Sequence, residues 1–150
     1  MITILVLNGP NLNMLGQREP ALYGTETLAD IIQGLRERAG ILDVRLEHVQ
    51  SNEEGVLVSQ ILASRDAFDG IILNPAAYTH TSVALRDALQ AVKVPCVEVH
   101  LTNTAARDEF RHVSLTAGAC LGQIMGFGAM GYHLALIGLV HYLKSGRGPG

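Results

Sequence analysis

Residues 2–8 read Ile-Thr-Ile-Leu-Val-Leu-Asn, a run rich in β-branched residues with no apolar/polar alternation. A strand of that composition cannot turn one face to water and has to be covered on both sides. Strands covered on both sides belong to parallel sheets flanked by helices, so this one stretch points to an α/β architecture.

The rest of the chain supplies what that architecture needs. Leu28, Ile31, Ile32 and Leu35 lie at helical spacing within Thr25–Ala39, and Gly40 is expected to end the helix. Asp43–Val49 reads as a second strand, and Ser51 with Glu54 as a capping box opening a helix to about Arg65. Gly70–Asn74 is a short apolar strand. Ser82–Val92 is a helix with Val83, Leu85, Ala88 and Leu89 expected inward. Pro95 precedes the strand Cys96–Leu101, Ala105–Phe110 reads as a short helix, and a fifth strand near Leu121–Met125 leads to the last helix. Five βα units with short crossovers make a doubly wound parallel sheet in a single domain over residues 1–150, with 145–150 as a frayed tail.

With no tryptophan, four tyrosines and three phenylalanines, the core has to be aliphatic. A net charge of -3 and a pI near 6.0, without a basic run, give no case for nucleic acid or an anionic membrane. Cys96 and Cys120 sit among apolar residues without CxxC spacing and read as reduced, buried thiols. Met1–Leu7 reads as a strand, not a signal sequence, which fits a cytoplasmic enzyme or binding domain. Ile124–Leu143 carries no formal charge, but its four glycines and two histidines suit a helix on a buried sheet better than a membrane span.

In open parallel sheets, ligands bind outside the carboxyl ends of the strands. The strand exits here read "NGPNLN", "HVQSNEEG", "NPAAYTHTS" and "EVHLTN". Asn8, Asn11, Asn13, Asn52, Asn74 and Asn103 therefore gather at one edge with His80 and His100. Singly, each asparagine suits a turn; together with imidazoles and arginines they suit a small ligand bearing hydroxyls and a carboxylate. Glu98 and His100 share a strand face, and an acid on so apolar a strand needs a partner. Two readings stand: a metal pair with His80 as third ligand, or a carboxylate that orients an imidazole. "GFGAMG" at Gly126–Gly131 matches GxGxxG, but no later strand can supply the acidic ribose partner, so tight helix–sheet packing is expected.

The first exit continues as "NLNMLGQREPALYG", residues 11–24, far longer than the ~2–6 residues usual in α/β loops. A lid over the site is expected. Its Tyr23 is either a loop anchor or a base. As a base it has to be brought from ~10 towards neutrality, about 4 kcal/mol, which one or two close guanidinium groups supply. Arg18 is nearest in sequence, and Arg107 or Arg111 can arrive from the fourth exit. Lys93 falls at the amino end of the sheet and Lys144 in the tail, so no lysine is placed for Schiff-base chemistry.

Taken together, "LNGPNLNMLGQREPALYG", "QSNEEG", "NPAAYTHTSVALRDAL" and "EVHLTN" followed by "RDEFR" resemble type II 3-dehydroquinate dehydratase across nearly the whole chain. The resemblance implies a flavodoxin-like fold and dehydration of 3-dehydroquinate to 3-dehydroshikimate without metal or cofactor. It implies Tyr23 as the base, Arg18 holding it as phenolate, Asn11 positioning a water at the enolate, and His100, held by Glu98, as the acid. Asn74, His80, Arg111 and the backbone amides of Leu101 and Thr102 are implied to bind substrate. Asp87 is implied to reach a neighbouring subunit's site within a dodecamer of four trimers. Ala76 stands where the family usually has glycine. The competing class is a non-catalytic flavodoxin-like module for a polar ligand or nucleotide.

Overall fold

A computed structural model describes residues 1–17, 19, 21 and 24–146. The strands are β1 (Ile2–Asn8), β2 (Val44–Gln50), β3 (Gly70–Asn74), β4 (Cys96–His100) and β5 (Gly122–Met125). The helices are α1 (Leu28–Ile41), α2 (Glu54–Ser64), α3 (Val83–Val92) and α4 (Met130–Ser145). All strand pairs are parallel, in the order β2-β1-β3-β4-β5. That is the doubly wound arrangement the strand composition requires, with its switch point between β1 and β3.

Two apolar layers cover the sheet. On one side Ile4, Val6, Leu46, Ile72, Val97 and Val99 pack against Ile31, Ile32 and Leu35 of α1 and Tyr132, Leu136 and Leu139 of α4. On the other, Leu5, Leu7, Ile71 and Leu73 meet Leu57 and Ile61 of α2 and Leu85 and Leu89 of α3. Each fully buried aliphatic side chain contributes about 1.5–3 kcal/mol, so these layers hold the sheet edge, and hence the site, in place.

Local chemistry moves several boundaries. α1 starts at Leu28, not Thr25, because Thr27 caps it: Asp30 N–H donates to Thr27 Oγ1 and Thr27 N–H to Asp30 Oδ2, each at 3.1 Å. Gly40 does not end it. The helix runs to Ile41, and Asp43 in left-handed backbone (φ 57°) makes the turn. The expected Ser51–Glu54 box is absent. Ser51 Oγ accepts instead from Glu53 N–H at 3.0 Å, one residue too early to cap α2 as a box. Val83 points outward, 58% exposed, since Leu85, Ala88, Leu89 and Val92 form the inward stripe and Val83 lies about two helical steps, or ~200°, from it. The helix expected at Ala105–Phe110 is two short 3₁₀ turns, Thr104–Ala106 and Glu109–Arg111, separated by extended Arg107. Ser145 belongs to α4, which Gly146 closes in left-handed backbone; residues 147–150 of the expected tail lie outside the described residues.

The GxGxxG segment divides its labour. A Cβ at Gly131 would stand 3.3 Å from Val99 Cγ1, so this glycine permits close approach of α4 to β4, as expected. Gly126 and Gly128 have φ of 93° and 58° and serve the turn instead. No helix among the described residues is long and apolar enough to cross a membrane.

Candidate active site

At the carboxyl edge of the sheet, the exits of β1, β3 and β4 enclose a cavity of about 230 Å³. Pro10, Asn11 and Leu12 come from the first exit, Asn74, Ala76 and His80 from the third, and His100, Leu101, Thr102, Arg107 and Arg111 from the fourth. Every substrate-binding residue expected from the sequence, except Asp87, lines it. Asp87 is exposed on α3. Arg18 and Tyr23 lie outside the described residues, as does part of the expected 11–24 lid.

The first and third exits are pressed together. Gly9 N–H donates to Asn74 O at 2.8 Å, and a Cβ at Gly9 would stand 2.6 Å from Pro75 O. Only glycine permits that approach. Asn11, with φ 69°, is turned so that its N–H reaches Asn52 Oδ1 at 3.0 Å. Ala76 is also left-handed (φ 52°), an unfavourable conformation for a residue with a Cβ, and its N–H donates to Asn74 Oδ1 at 3.1 Å.

Behind His100 lies a fully buried acid. Glu98 Oε2 accepts from His100 Nε2 at 2.8 Å, Ser114 Oγ at 2.9 Å, Thr79 Oγ1 at 3.1 Å and Gln123 Nε2 at 2.8 Å, while Oε1 accepts from Thr116 Oγ1. Burial on its own raises the Glu98 pKa. Hydrogen bonds from His100 and Thr116, the charge of His100 and a bond from Ser114 outweigh it, and the carboxyl ends below the ordinary glutamate value. A buried carboxylate saturated with donors stays ionised and supports a cation beside it. His100 is therefore held with Nε2 committed to Glu98.

His80 Nδ1 pairs with Val113 O at 2.7 Å. Among the described residues no group of three His, Cys, Asp or Glu side chains is arranged to hold a metal ion. Arg107 Nη1 donates to Thr102 Oγ1 at 3.3 Å. Arg111 lies over the Phe110 ring, 4.8 Å from its centre, with Nε 3.5 Å from Asp108 Oδ2. That Nε is buried and makes no hydrogen bond among the described residues. The guanidinium also lines the cavity, where its charge suits an anionic ligand group.

Reasoning from the sequence missed the support of these groups. Gln123 was findable, because β4 and β5 pair in register with Glu98 opposite Gln123. Thr79 reaches Glu98 from the 3₁₀ turn Ala76–His80, and Ser114 and Thr116 reach it from loops, and no sequence period reports that. Tyr132, a fully buried phenol on the mostly apolar helix α4, also escaped notice.

Comparison with known proteins agrees with this geometry. The family model described as dehydroquinase class II matches residues 2–140. The chain is 55% identical over 146 residues to the 3-dehydroquinate dehydratase of Jannaschia sp. (strain CCS1), covering 97% of this chain and 99% of that protein. The crystal structure of type II dehydroquinase from Butyrivibrio crossotus DSM 2876 superposes with a TM-score of 0.91 at 43% identity, covering 93% of this chain and 97% of that one. The type II dehydroquinase from Propionibacterium acnes superposes with a TM-score of 0.89 at 40% identity, covering 96% and 97%. With its sheet order, its cavity at the switch point and these likenesses, the chain belongs to the class II dehydroquinase family.

Proposed function

We propose that this chain removes water from 3-dehydroquinate to give 3-dehydroshikimate. The observation that carries the reading is the pairing, in one small cavity, of an acid-backed imidazole at His100 with the cavity-lining guanidinium of Arg111. The family likeness supplies the substrate.

The chemistry follows from those groups. A proton beside a ketone is weakly acidic, so the site has to supply a base and stabilise an enolate. Tyr23, held as phenolate by Arg18, takes the C2 proton, and the electron pair moves onto the ketone oxygen, where a water positioned by Asn11 receives it. The enolate then collapses and expels the C1 hydroxyl on the opposite face. With Nε2 on Glu98, Nδ1 of His100 is the atom left to protonate that leaving group, which departs as water. Asn74, His80, Arg111 and the Leu101 and Thr102 amides hold the ring hydroxyls and carboxylate. No cofactor enters the scheme, and the lid over residues 11–24 excludes water.

Assembly belongs to the same reading: Asp87, which is exposed on α3, would serve a neighbouring subunit's site in a cytoplasmic dodecamer of four trimers.

The test is a spectrophotometric assay of purified protein with 3-dehydroquinate, with and without chelator. Enone absorbance should rise equally in both. Folded protein without turnover sinks the reading. Tyr23→Phe should abolish turnover while substrate still binds; retention of most of the rate removes Tyr23 as the base.

A further inference from the structure

A chain of hydrogen bonds, buried except at its last link, runs from the cavity wall to β2 on the far side of β1. Asn74 and Asn8 are in-register partners at the ends of β3 and β1, so both side chains emerge on the α1/α4 face of the sheet. Tyr132, in the first turn of α4, reaches both. Asn74 Nδ2 donates to Tyr132 Oη at 3.0 Å, Tyr132 Oη–H donates to Asn8 Oδ1, and Asn8 Nδ2 meets His48 Nε2 at 3.0 Å. Asn8 is 0% exposed, Tyr132 0% and Asn74 2%, so water cannot readily replace the bonds among these three, while the link to His48 is part-buried.

The polarity of this chain is set at one end. The Ala76 N–H can only donate, which fixes Oδ1 of Asn74 towards it. The Asn74 amide nitrogen must then face Tyr132. The phenol, having accepted one bond, gives its single proton to Asn8 Oδ1. Asn8 consequently points its NH₂ at His48, and His48 can accept only if Nε2 is bare and the ring proton is on Nδ1. Turning any one amide over sets donor against donor at the next link.

We propose that Tyr132 and His48 are positioning residues for substrate binding, fixing through this one-directional chain which atoms the Asn74 amide presents to the cavity. With Oδ1 engaged by Ala76 and one Nδ2 hydrogen by Tyr132, Asn74 has its second Nδ2 hydrogen left for a ligand. It therefore recognises an acceptor oxygen, such as a hydroxyl or carboxylate oxygen of a polyhydroxy ring acid. The protonation states agree with the direction of the chain. Burial pushes the Tyr132 phenol well above its ordinary value, with Asn74 opposing, so it remains a donor. Burial and the nearby Arg36 guanidinium hold His48 below its ordinary value, so it remains an acceptor.

The choice of substrate rests on the dehydratase reading; the direction of the chain does not. Two measurements on the purified full chain separate them. Long-range ¹H–¹⁵N correlation spectra of histidine-labelled wild type, with His48→Gln for assignment, should show His48 protonated on Nδ1 with bare Nε2. In steady-state assays with 3-dehydroquinate, Tyr132→Phe and His48→Leu should raise KM about three- to tenfold with little change in kcat. His48→Gln, which can offer Asn8 an acceptor, should restore most of the affinity. A proton on His48 Nε2, or a wild-type KM in Tyr132→Phe, overturns the proposal. Should Tyr132→Phe fail to fold, or wild type fail to turn over this substrate, the tautomer alone decides.

Discussion

His100 Nε2 donates to Glu98 Oε2 at 2.8 Å, from a residue two positions along the same strand face. The pair forms where period-two alternation puts both side chains on the α2/α3 side of β4. The acid is fully buried, and among the described residues its other hydrogen bonds come from Thr79, Ser114, Thr116 and Gln123.

Glu98→Gln should therefore reduce kcat more than affinity. The amide keeps the shape but loses the charge that supports an imidazolium. A positioned acid contributes at least about 10²-fold, so a fall of about that size in kcat is expected, with KM nearly unchanged. Steady-state kinetics check it; an unchanged kcat removes the Glu98 charge as the support of His100.

The same carboxyl shapes acid stability. Its folded pKa lies below the 4.5 of an ordinary glutamate: burial pushes up, but His100, Thr116 and Ser114 together push further down. Between the folded and unfolded values the unfolded chain binds the extra proton, so stability rises with pH across that window. The contribution is complete above 4.5 and is lost as pH falls through the folded value. Thermal melts from neutral to acid pH should show this loss in wild type and a shallower decline in Glu98→Gln.

Gly9→Ala should damage both fold and activity. Its Cβ would lie 2.6 Å from Pro75 O and 2.8 Å from Pro75 C, both backbone atoms. Relieving that contact forces the β1 and β3 exits apart. Overpacking of this kind costs about 1–3 kcal/mol, or a Tm drop of several degrees at this size. Displacement of Asn74 and Ala76 should also lower kcat/KM by about 10²-fold, since a shift near 1 Å at a site has that cost. Melting curves and kinetics on one preparation test both parts.

Arg111→Lys should separate geometry from charge. The guanidinium lies over Phe110 and leaves Nε buried without a hydrogen bond among the described residues. Lysine keeps the charge but not the planar fork, so KM should rise about tenfold or more with kcat less affected. A wild-type KM in that variant means Arg111 makes no directed contact with substrate.

The sequence carried the sheet well because its signal is local. Ile2–Asn8 and Gly70–Asn74 have the observed bounds, since uninterrupted apolar runs permit little else. Helix starts were harder to place. Thr27, rather than Thr25, caps α1, and Ser51 bonds to Glu53 instead of building a box, and only backbone geometry separates such choices. At the site, Glu98 and His100 were legible through alternation and the asparagines through their strand exits. The Ser114 and Thr116 hydroxyls were not, because loops of no fixed period bring them to Glu98. Tyr132 was hidden for another reason: a tyrosine in a mostly apolar helix looks like core until its hydroxyl is seen to have two amide neighbours.

The register between β3 and β4 has a final consequence. Ile72 lies opposite Val97 and Leu73 opposite Glu98, so Asn74 rises from one apolar layer and His100 from the other. Ligand capture and proton delivery are thus anchored in separate halves of the interior. Repacking beneath α1 and α4 should register as altered affinity, and repacking beneath α2 and α3 as altered turnover. The two properties can drift independently over evolutionary time, even though the groups responsible share a single small cavity.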